Sequence, residues 1–441
     1  MKKKILSAIA LLSIAMAVQA QEVAYEEYNL DNGLHVILHQ DNTAPIVVTS
    51  ISYHVGAKDE NPERTGFAHF FEHLLFEGTK NVGRGEWDKI VSSKGGANNA
   101  TTNDDRTYYY EVFPSNALET GLWLESERLL HPVIEQVGVD TQNEVVKEEK
   151  RLRVDNRPYG NILAEVKKNL FTKHPYRWTT IGSLEHLDAA TLDEFIAFNK
   201  KFYVPNNAVL IVAGDLDIDK TKKMIQDYFG PIPKGEEIAR SFPKEEPITE
   251  EFKAKAYDAN IQIPAIVACY RTPSFKTREA RVLDMISTYL SGGNSSKLYK
   301  KLVDDKKMAL AVQAVNLSQE DYGMYALFAL PLGETTLDAL VKEFDEEILK
   351  LQTELISEKD HQKLLNQFEN QFVNANSTLE GIAGSLANYY LLYGDTNLIN
   401  TEIDLYRSIT REEIQAVAKK YLGTHQRLLL EYLPEDKKEN Q

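Results

Sequence analysis

The sequence predicts an α+β protein built from two similar α/β domains that arose by internal duplication. The first observation is a weak repeat, in which residues 191–203 and 208–212 match residues 410–422 and 427–430 at an offset of 219. The second is that each copy joins a helical pattern, opened by a threonine, to a strand-like run. The third is the length of 441 residues, which is too great for one ordinary hydrophobic core.

A pair of glycines supports the same repeat. Gly78 and Gly292, at an offset of 214, each follow a helical run that comes after an apolar strand, so each is expected to end its helix. The difference of five residues between the two offsets corresponds to an insertion or deletion in a loop.

The ends and the middle of the chain suggest four segments. Residues 1–20 contain three lysines, an apolar run and a small-residue cleavage site before Gln21, as in a secretory signal peptide. We therefore expect export to a bacterial periplasm and a soluble mature chain. The remaining segments are an N-terminal domain at 21–234, a linker at 235–251 rich in proline and charge, and a homologous C-terminal domain at 252–441.

Composition excludes several classes of function. The formal net charge of −16, from 50 basic and 66 acidic residues, argues against nucleic acid and against a polybasic membrane contact. The one cysteine, Cys269, precludes an internal disulfide and a thiolate metal cluster. It lies in an apolar run and is expected to be a small buried hydrophobic residue.

A metal-binding pattern lies in the string from His69 to His73, His-Phe-Phe-Glu-His. The surrounding helical run at 67–76 is apolar on nearly all sides, so the polar residues on it need an explanation. His69 and His73 are four residues apart and face one side of a helix, where both can bind one metal ion. Glu72 points toward the same place at a different angle, which favours a general base over a ligand.

Two questions stay open at this level. The three residues could instead be hydrogen-bonded core residues, but burying all three without partners would be costly, so we favour the metal. A third ligand is expected from the acid-rich helix predicted at 141–152. That helix offers three glutamates, and adjacent residues differ by about 100° in direction, so residue chemistry alone does not choose among them. They are Glu144, Glu148 and Glu149.

This pattern resembles that of the pitrilysin-type (M16) zinc metallopeptidases, in the group near bacterial and mitochondrial processing peptidases. The family combines His-x-x-Glu-His, the inverse of the common zinc-peptidase motif, with a glutamate ligand 76 residues later. Glu149 lies 76 residues after His73, so the resemblance assigns it as the third ligand of one Zn²⁺ ion per chain. Further matching strings are Gly95–Ala100, Val145–Glu149, His174–Tyr176, Pro205–Asn207 and Ser295–Leu298.

The resemblance also implies a substrate and a way of binding it. Such a chain forms one half of a clamshell that closes around unfolded peptides. Asn99 and Ala100 would lie on an edge strand that pairs with the substrate backbone, although the residues alone favour a turn near Gly95. Gln142 stands where the family often has a second glutamate. Its amide would orient a metal ligand without adding charge.

The second half departs from the family pattern. Aligning the two glycines places Leu283, Ile286 and Ser287 opposite the metal-binding string, so we expect no second metal site. Catalytic halves often use an arginine and a tyrosine to hold substrate, where this chain has Lys297 and Leu310. Lysine cannot reproduce bidentate guanidinium contacts, and leucine donates no hydrogen bond. We therefore expect a heterodimer whose related partner supplies the pair, with a homodimer or monomer as the alternative.

These observations predict a periplasmic zinc endopeptidase that cleaves peptides or unfolded segments, with Glu72 as general base. One alternative is a non-catalytic core or assembly subunit of a larger complex. That role is typically marked by loss of the zinc residues, and all four are present here. The other alternative, a small-molecule metallohydrolase, gives no reason for the duplicated architecture.

Overall fold

The computed structural model describes residues 22–435, so the predicted signal peptide at 1–20 lies outside the described residues. Within this range the strands form a six-stranded and a five-stranded sheet. The expected α+β fold with two similar halves is confirmed. The strands are β1 (Glu26–Asn29), β2 (His35–Gln40), β3 (Ile46–Tyr53), β4 (Ala97–Thr102), β5 (Thr107–Pro114), β6 (Ala208–Gly214), β7 (Phe252–Asp258), β8 (Ala265–Pro273), β9 (Ala309–Ser318), β10 (Tyr322–Pro331) and β11 (Arg427–Pro434).

Helices flank both sheets, and none within residues 22–435 has the length and apolar character needed to cross a bilayer. The α-helices are α1 (Phe67–Leu74), α2 (Trp87–Ser93), α3 (Leu118–Leu130), α4 (Gln136–Lys150), α5 (Ile162–Leu170), α6 (Leu184–Ala189), α7 (Leu192–Phe202), α8 (Ile218–Phe229), α9 (Arg278–Ser291), α10 (Leu337–Thr353), α11 (Glu358–Ala375), α12 (Leu379–Asn388), α13 (Leu398–Arg407) and α14 (Arg411–Tyr421). Short 3₁₀ turns lie at Ala57–Asp59, Ser115–Ala117, Pro175–Arg177 and Pro205–Asn207, and π-helical turns at Arg151–Asp155, Tyr299–Asp305 and Tyr389–Tyr393.

The two sheets share one topology over five strands. In the first sheet β2 runs parallel to β6, and β6, β3, β5 and β4 then pair antiparallel in that order. In the second sheet β7 runs parallel to β11, and β11, β8, β10 and β9 pair antiparallel. The first sheet adds β1 at its outer edge. The faint sequence repeat therefore corresponds to a repeated fold.

The repeated helices α7 and α14 begin in the same way. The Thr191 side chain accepts a hydrogen bond from the Glu194 N–H, and the Glu194 carboxylate accepts one from the Thr191 N–H. Thr410 and Glu413 make the same reciprocal pair. Each threonine is thus the first residue of a capping box, which satisfies N–H groups that a helix start leaves unpaired.

The glycine pair does not play matching roles. Gly292 follows α9 directly and is its C-cap, with φ of −71°. Helix α1 ends at Leu74, and Gly78 lies four residues farther on with φ of +144°. The expectation that Gly78 ends its helix is therefore wrong. Its left-handed conformation belongs to the next turn, where the Val82 carbonyl oxygen would lie 2.8 Å from an added Cβ.

The acid-rich helix starts earlier than predicted. Helix α4 begins at Gln136, five residues before the expected start, and ends at Lys150. Val139 and Val146, two turns apart, are both buried in the first core. This apolar stripe starts before the acidic residues, so packing extends the helix toward its N-terminus.

Each half contributes a helix to the core of the other half's sheet. Helix α5, with Leu170 and Phe171, packs in the apolar cluster that contains Cys269 of β8. Helix α12, from the second half, packs Leu386 against Ile211 and other residues of the first sheet. Cys269 is buried as expected, and burial raises the pKa of its thiol to about 12. The two halves therefore share their hydrophobic cores.

A buried ionic junction, formed by Lys58, Asp105, Glu320 and Asp321, also joins the halves. Lys58 is 2% exposed, and its Nζ lies 3.0 Å from Asp105, 2.6 Å from Glu320 and 3.1 Å from Asp321. The last two residues come from the hairpin turn between β9 and β10. A buried ammonium is tolerated only while it stays paired, so this contact holds the hairpin against the first half.

The predicted linker at 235–251 lies against both halves. Arg240 contacts Asp59 at 2.9 Å. Glu245 accepts hydrogen bonds from the backbone N–H groups of Thr172, Lys173 and His174 and lies 3.3 Å from Arg271 of β8. The segment is thus bound to its surroundings although it contains no helix.

We expect Lys58→Met to lower the free energy of unfolding by about 3–5 kcal/mol, because it leaves the Asp105 carboxylate buried without its ion-pair partner. Glu320 keeps its contacts with Lys276 and His54. Urea denaturation measures this change. Lys94→Met removes the same charge at an exposed position and should change stability by less than about 0.5 kcal/mol. Equal, small effects of the two substitutions would contradict the role of the junction.

Candidate metal centre

The structure brings His69, His73 and Glu149 together. Helices α1 and α4 pack against each other, and Glu149 Oε2 lies 3.4 Å from His69 Nε2 and 3.2 Å from His73 Nε2. The two imidazole nitrogens are 3.4 Å apart. In the described part of the chain, this is the one group of three or more potential metal ligands whose ligand atoms lie within 4.8 Å of one another.

These three side chains fit a zinc ion. Two imidazole nitrogens and a carboxylate oxygen match the ligand types of catalytic zinc sites, which keep a fourth position open. Glu149 Oε2 is buried and has no aligned hydrogen-bond donor although both imidazoles face it. Contact with His69, and then with His73, holds the pKa of the Glu149 carboxyl well below its usual range. Glu149 is therefore ionised at neutral pH, as a metal ligand must be.

Two residues next to the candidate ligands, Arg153 and Gln142, contact Glu149 and the segment after α1. Arg153 Nη1 lies 2.6 Å from Glu149 Oε1, the oxygen that does not face the histidines. The amide of Gln142 donates to Glu77, which also contacts Arg84. The hydrogen bond of Gln142 thus goes to a residue beyond α1 and not to one of the three candidate ligands. Its proposed orienting role stays a prediction.

Sequence reasoning missed Glu60, which binds the N-terminal end of α1. Its carboxylate accepts hydrogen bonds from the N–H groups of Gly66 and Ala68, both at 2.9 Å, and from the Trp178 indole at 3.1 Å. Burial nevertheless raises the pKa of Glu60 well above its usual range. Gly66 at the N-cap has no side chain to accept these bonds, so Glu60 satisfies groups that would otherwise be unpaired. A glycine at the start of α1, where a capping side chain is usual, was the sequence signal that another residue must accept these hydrogen bonds.

A second missed residue, Arg128, binds the C-terminal end of α1. It is 1% exposed and donates to the Leu75 carbonyl oxygen at 3.2 Å. Glu111 and Glu125 balance its charge at 2.9 and 3.0 Å, and its guanidinium lies 4.2 Å from the centre of the Tyr109 ring. A cation near the last carbonyls of a helix is favoured by the helix dipole.

Glu72 lies on the same helix, between the two histidines in sequence, and is half-buried. Helix α1 packs against β4 and β5. Burial lowers the pKa of Arg106, in the loop between β4 and β5, and raises that of Tyr109 of β5, and the negative charge of Glu72 acts on both groups. Glu72 is therefore near the hairpin formed by β4 and β5. Glu72 and Glu149 therefore come from different helices, α1 and α4.

Asn99 and Ala100 lie in β4, the last strand of the first sheet, where they pair with Tyr110 and Tyr109 of β5. The expected edge-strand location is therefore confirmed. The alternative turn is confined to residues before β4, where Gly95 has φ of +74°. The backbone edge of β4 that faces away from β5 has no strand partner among residues 22–435. Whether this edge binds substrate stays a prediction.

The three second-half residues that the sequence alignment places opposite the metal-binding string are two aliphatic residues and a serine, and none is a histidine or a glutamate. Leu283 and Ile286 have no exposed surface and pack in the second core, while Ser287 donates to the Asp284 carbonyl oxygen. Lys297 forms an ion pair with Asp360 at 2.9 Å, and Leu310 on β9 is 47% exposed. Neither position offers a guanidinium or a phenol.

The fold and this site define the class of protein. Residues 35–183 match the family described as "Insulinase (Peptidase family M16)", and residues 189–368 match the "Peptidase M16 inactive domain". The chain belongs to the M16 peptidase family, as the resemblance predicted.

Individual relatives agree with this assignment. The chain is 29% identical to the zinc protease PqqE of Helicobacter pylori over 389 residues, which covers 87% of this chain and 88% of that protein. A crystal structure of a protease from Helicobacter pylori superposes with a TM-score of 0.87 at 27% identity, over 93% and 99% of the two chains. The first half of the periplasmic protease PqqL from Escherichia coli superposes with a TM-score of 0.76 at 19% identity, over 94% and 92%.

We expect Zn²⁺ at 100 times its dissociation constant to stabilise the folded chain by about 2.7 kcal/mol, because a ligand that binds only the folded state shifts the unfolding equilibrium. His69→Ala and Glu149→Gln should abolish the resulting increase in Tm, while Glu72→Gln and the exposed control His425→Ala keep it. Differential scanning fluorimetry with metal analysis measures both effects. Loss of zinc binding in Glu72→Gln would contradict the division between ligands and base.

Proposed function

We propose that this protein is a zinc-dependent endopeptidase that hydrolyses peptides or unfolded polypeptide segments. The convergence of His69, His73 and Glu149, with Glu72 on the same helix beside the β4–β5 hairpin, carries this proposal. Three protein ligands leave the fourth coordination position of a zinc ion open for water or substrate. The nearby edge of β4 provides a place for an extended peptide backbone.

Each group has a distinct role in the proposed reaction. His69, His73 and Glu149 would hold the zinc ion, which when bound supplies a Lewis acid for the scissile carbonyl and lowers the pKa of water. The Glu72 carboxylate accepts a proton from the attacking water and then donates it to the leaving amine.

The proposed substrate class follows from the edge strand. Strand β4, which contains residues 99 and 100, is the last strand of its sheet. A substrate that pairs with its free edge must be extended. Main-chain pairing makes little demand on side chains, so affinity would not require one particular sequence. Folded proteins offer few free extended segments, which favours peptides and unfolded chains.

The proposed location is the periplasm. The sequence at 1–20 has the features of a cleavable signal peptide. The structural neighbour from Escherichia coli is described as a periplasmic protease. Both observations support export.

We further propose that a related subunit completes the active site. Lys297 and Leu310 stand where catalytic halves of this family often have arginine and tyrosine. Lys297 is already paired with Asp360, and Leu310 cannot donate a hydrogen bond. A heterodimer would bring both missing groups from the second chain.

We expect Glu72→Gln to lower kcat/KM for a quenched, unstructured peptide mixture by at least about 100-fold, because it removes the base and retains the metal ligands. The assay uses the full chain with equimolar zinc. Glu144→Gln, an exposed change on α4, should alter the rate less than about twofold.

Two results of this assay would contradict the proposed endopeptidase and favour another function. Zinc binding without cleavage, even with a purified partner subunit present, would favour a non-catalytic core subunit. Turnover of small esters or amides in preference to peptides would favour a small-molecule metallohydrolase.

We expect native mass spectrometry of the complex isolated from its source to show this chain with one copy of a related subunit. A native complex that holds only this chain, together with full activity of the unmodified chain, would contradict the heterodimer.

A further inference from the structure

A cavity of 610 Å³ lies between the two halves of the protein. It is bounded by the turn between β4 and β5, by α5, by the end of β9 and by the end of α12 with the turn that follows it. Its volume is within the range of pockets that bind small ligands. The cavity lies next to the end of β4, since residues 103–106 of its wall follow that strand directly.

The charged residues in the cavity wall are balanced within the protein. Lys167 Nζ lies 2.7 Å from Asp104, and Asp105 is paired in the ionic junction. The negative charges of Glu72 and Asp105 act on Arg106. A charged ligand would have to compete with these partners for groups that are mostly buried. The wall therefore favours an uncharged ligand.

Two leucines expose apolar surface in the same wall. Leu163 of α5 is 43% exposed, and Leu317 of β9 is 37% exposed. Tyr389 and Tyr393, from the turn after α12, are half-buried and add ring surface to the wall. Exposed apolar side chains are ordinary when they are scattered singly, but these four border one concave space. A ligand that covers them removes apolar area from water, which is favourable.

Strand β4 connects the candidate substrate edge with this cavity. Ala100 packs in the first core, and adjacent residues of a strand point to opposite faces, so Thr101 lies on the other face of the sheet. The Thr101 hydroxyl accepts a hydrogen bond from Arg106 of the cavity wall at 3.2 Å. A peptide that pairs with the free edge of β4 would therefore place every second side chain on the face that borders the cavity.

We propose that this cavity binds a large apolar side chain, aliphatic or aromatic, of a peptide that is paired with β4. This inference rests on the proposed function, because it takes the ligand to be the peptide substrate. Leu163 and Leu317 determine the preference, since they expose the apolar surface that such a side chain covers. Unfolded chains expose the apolar side chains that folded proteins bury, so the preference matches the proposed substrate class.

The test measures binding without cleavage, using the full chain with the Glu72→Gln substitution and isothermal titration calorimetry. Three unstructured decapeptides of glycine, serine and asparagine, blocked at both ends, carry one central phenylalanine, glutamine or alanine. Main-chain pairing allows a peptide to shift its register, so one central residue is sufficient to reach the cavity.

We expect the phenylalanine peptide to bind at least about 10-fold more tightly than the glutamine and alanine peptides. Leu163→Ser combined with Leu317→Ser should reduce this advantage below about twofold, because it removes the apolar surface that the ring covers. Burial of apolar surface also gives binding a negative heat-capacity change. This change should be larger for the phenylalanine peptide, and the two serine substitutions should reduce it.

Control variants separate binding from structure. Leu349→Ser combined with Leu355→Ser removes two exposed leucines that do not line the cavity and should leave the preference unchanged. Leu163→Met combined with Leu317→Met keeps apolar surface at both positions and should retain most of the preference. Because Leu163 and Leu317 are exposed, their substitution by serine should change Tm little.

The proposal would be overturned by equal affinity for the three peptides, by no binding at all, or by an equal loss of affinity for all three in the Leu163→Ser, Leu317→Ser chain. An equal loss of preference in the Leu349→Ser, Leu355→Ser control would also overturn it. Failure of zinc-dependent cleavage would leave the binding preference unaffected. Cleavage without this preference would contradict the apolar subsite but not the endopeptidase, so the two proposals fail separately.

Discussion

The position of the candidate metal centre depends on buried groups at both ends of α1. Glu60 accepts hydrogen bonds at the N-terminal end, and Arg128 donates to the Leu75 carbonyl at the C-terminal end. Polar partners at both ends satisfy groups that the helix itself leaves unpaired. A shift or rotation of the helix would break these contacts, so they fix the direction in which His69 and His73 point.

The segment just before α1, which contains Glu60, also contacts the second half of the protein. Lys58 of the ionic junction lies two residues before Glu60 in the chain. The carboxylates that the second half contributes to the junction thus contact a residue that is close in the chain to Glu60, which binds the N-terminal end of α1. Helices α5 and α12, each packed against the sheet of the other half, make the contact extensive. The second half can therefore support the half that carries the candidate metal ligands.

Duplication produced two halves with different tasks. The five-strand topology is the same, but Leu283 and Ile286 fill the second core, where the first half places polar residues on α1. The first half thus keeps three polar residues on a largely buried helix, and buried charged residues bind both ends of that helix. The second half contributes packing and the hairpin that carries two carboxylates of the ionic junction.

Local sequence patterns were sufficient to predict part of the fold and part of the candidate site. The spacing of His69 and His73 determines that they share a helix face, and the Thr191–Glu194 capping box determines where α7 begins, because both depend on residues within one or two turns. The residues alone left the choice among three glutamates open. Only the packing of α4 on α1 shows Glu149 facing the histidines. Tertiary structure likewise decided the contacts of Glu60, Arg128 and Lys58, because their partners are mostly distant in sequence or lie on loops without a repeating pattern.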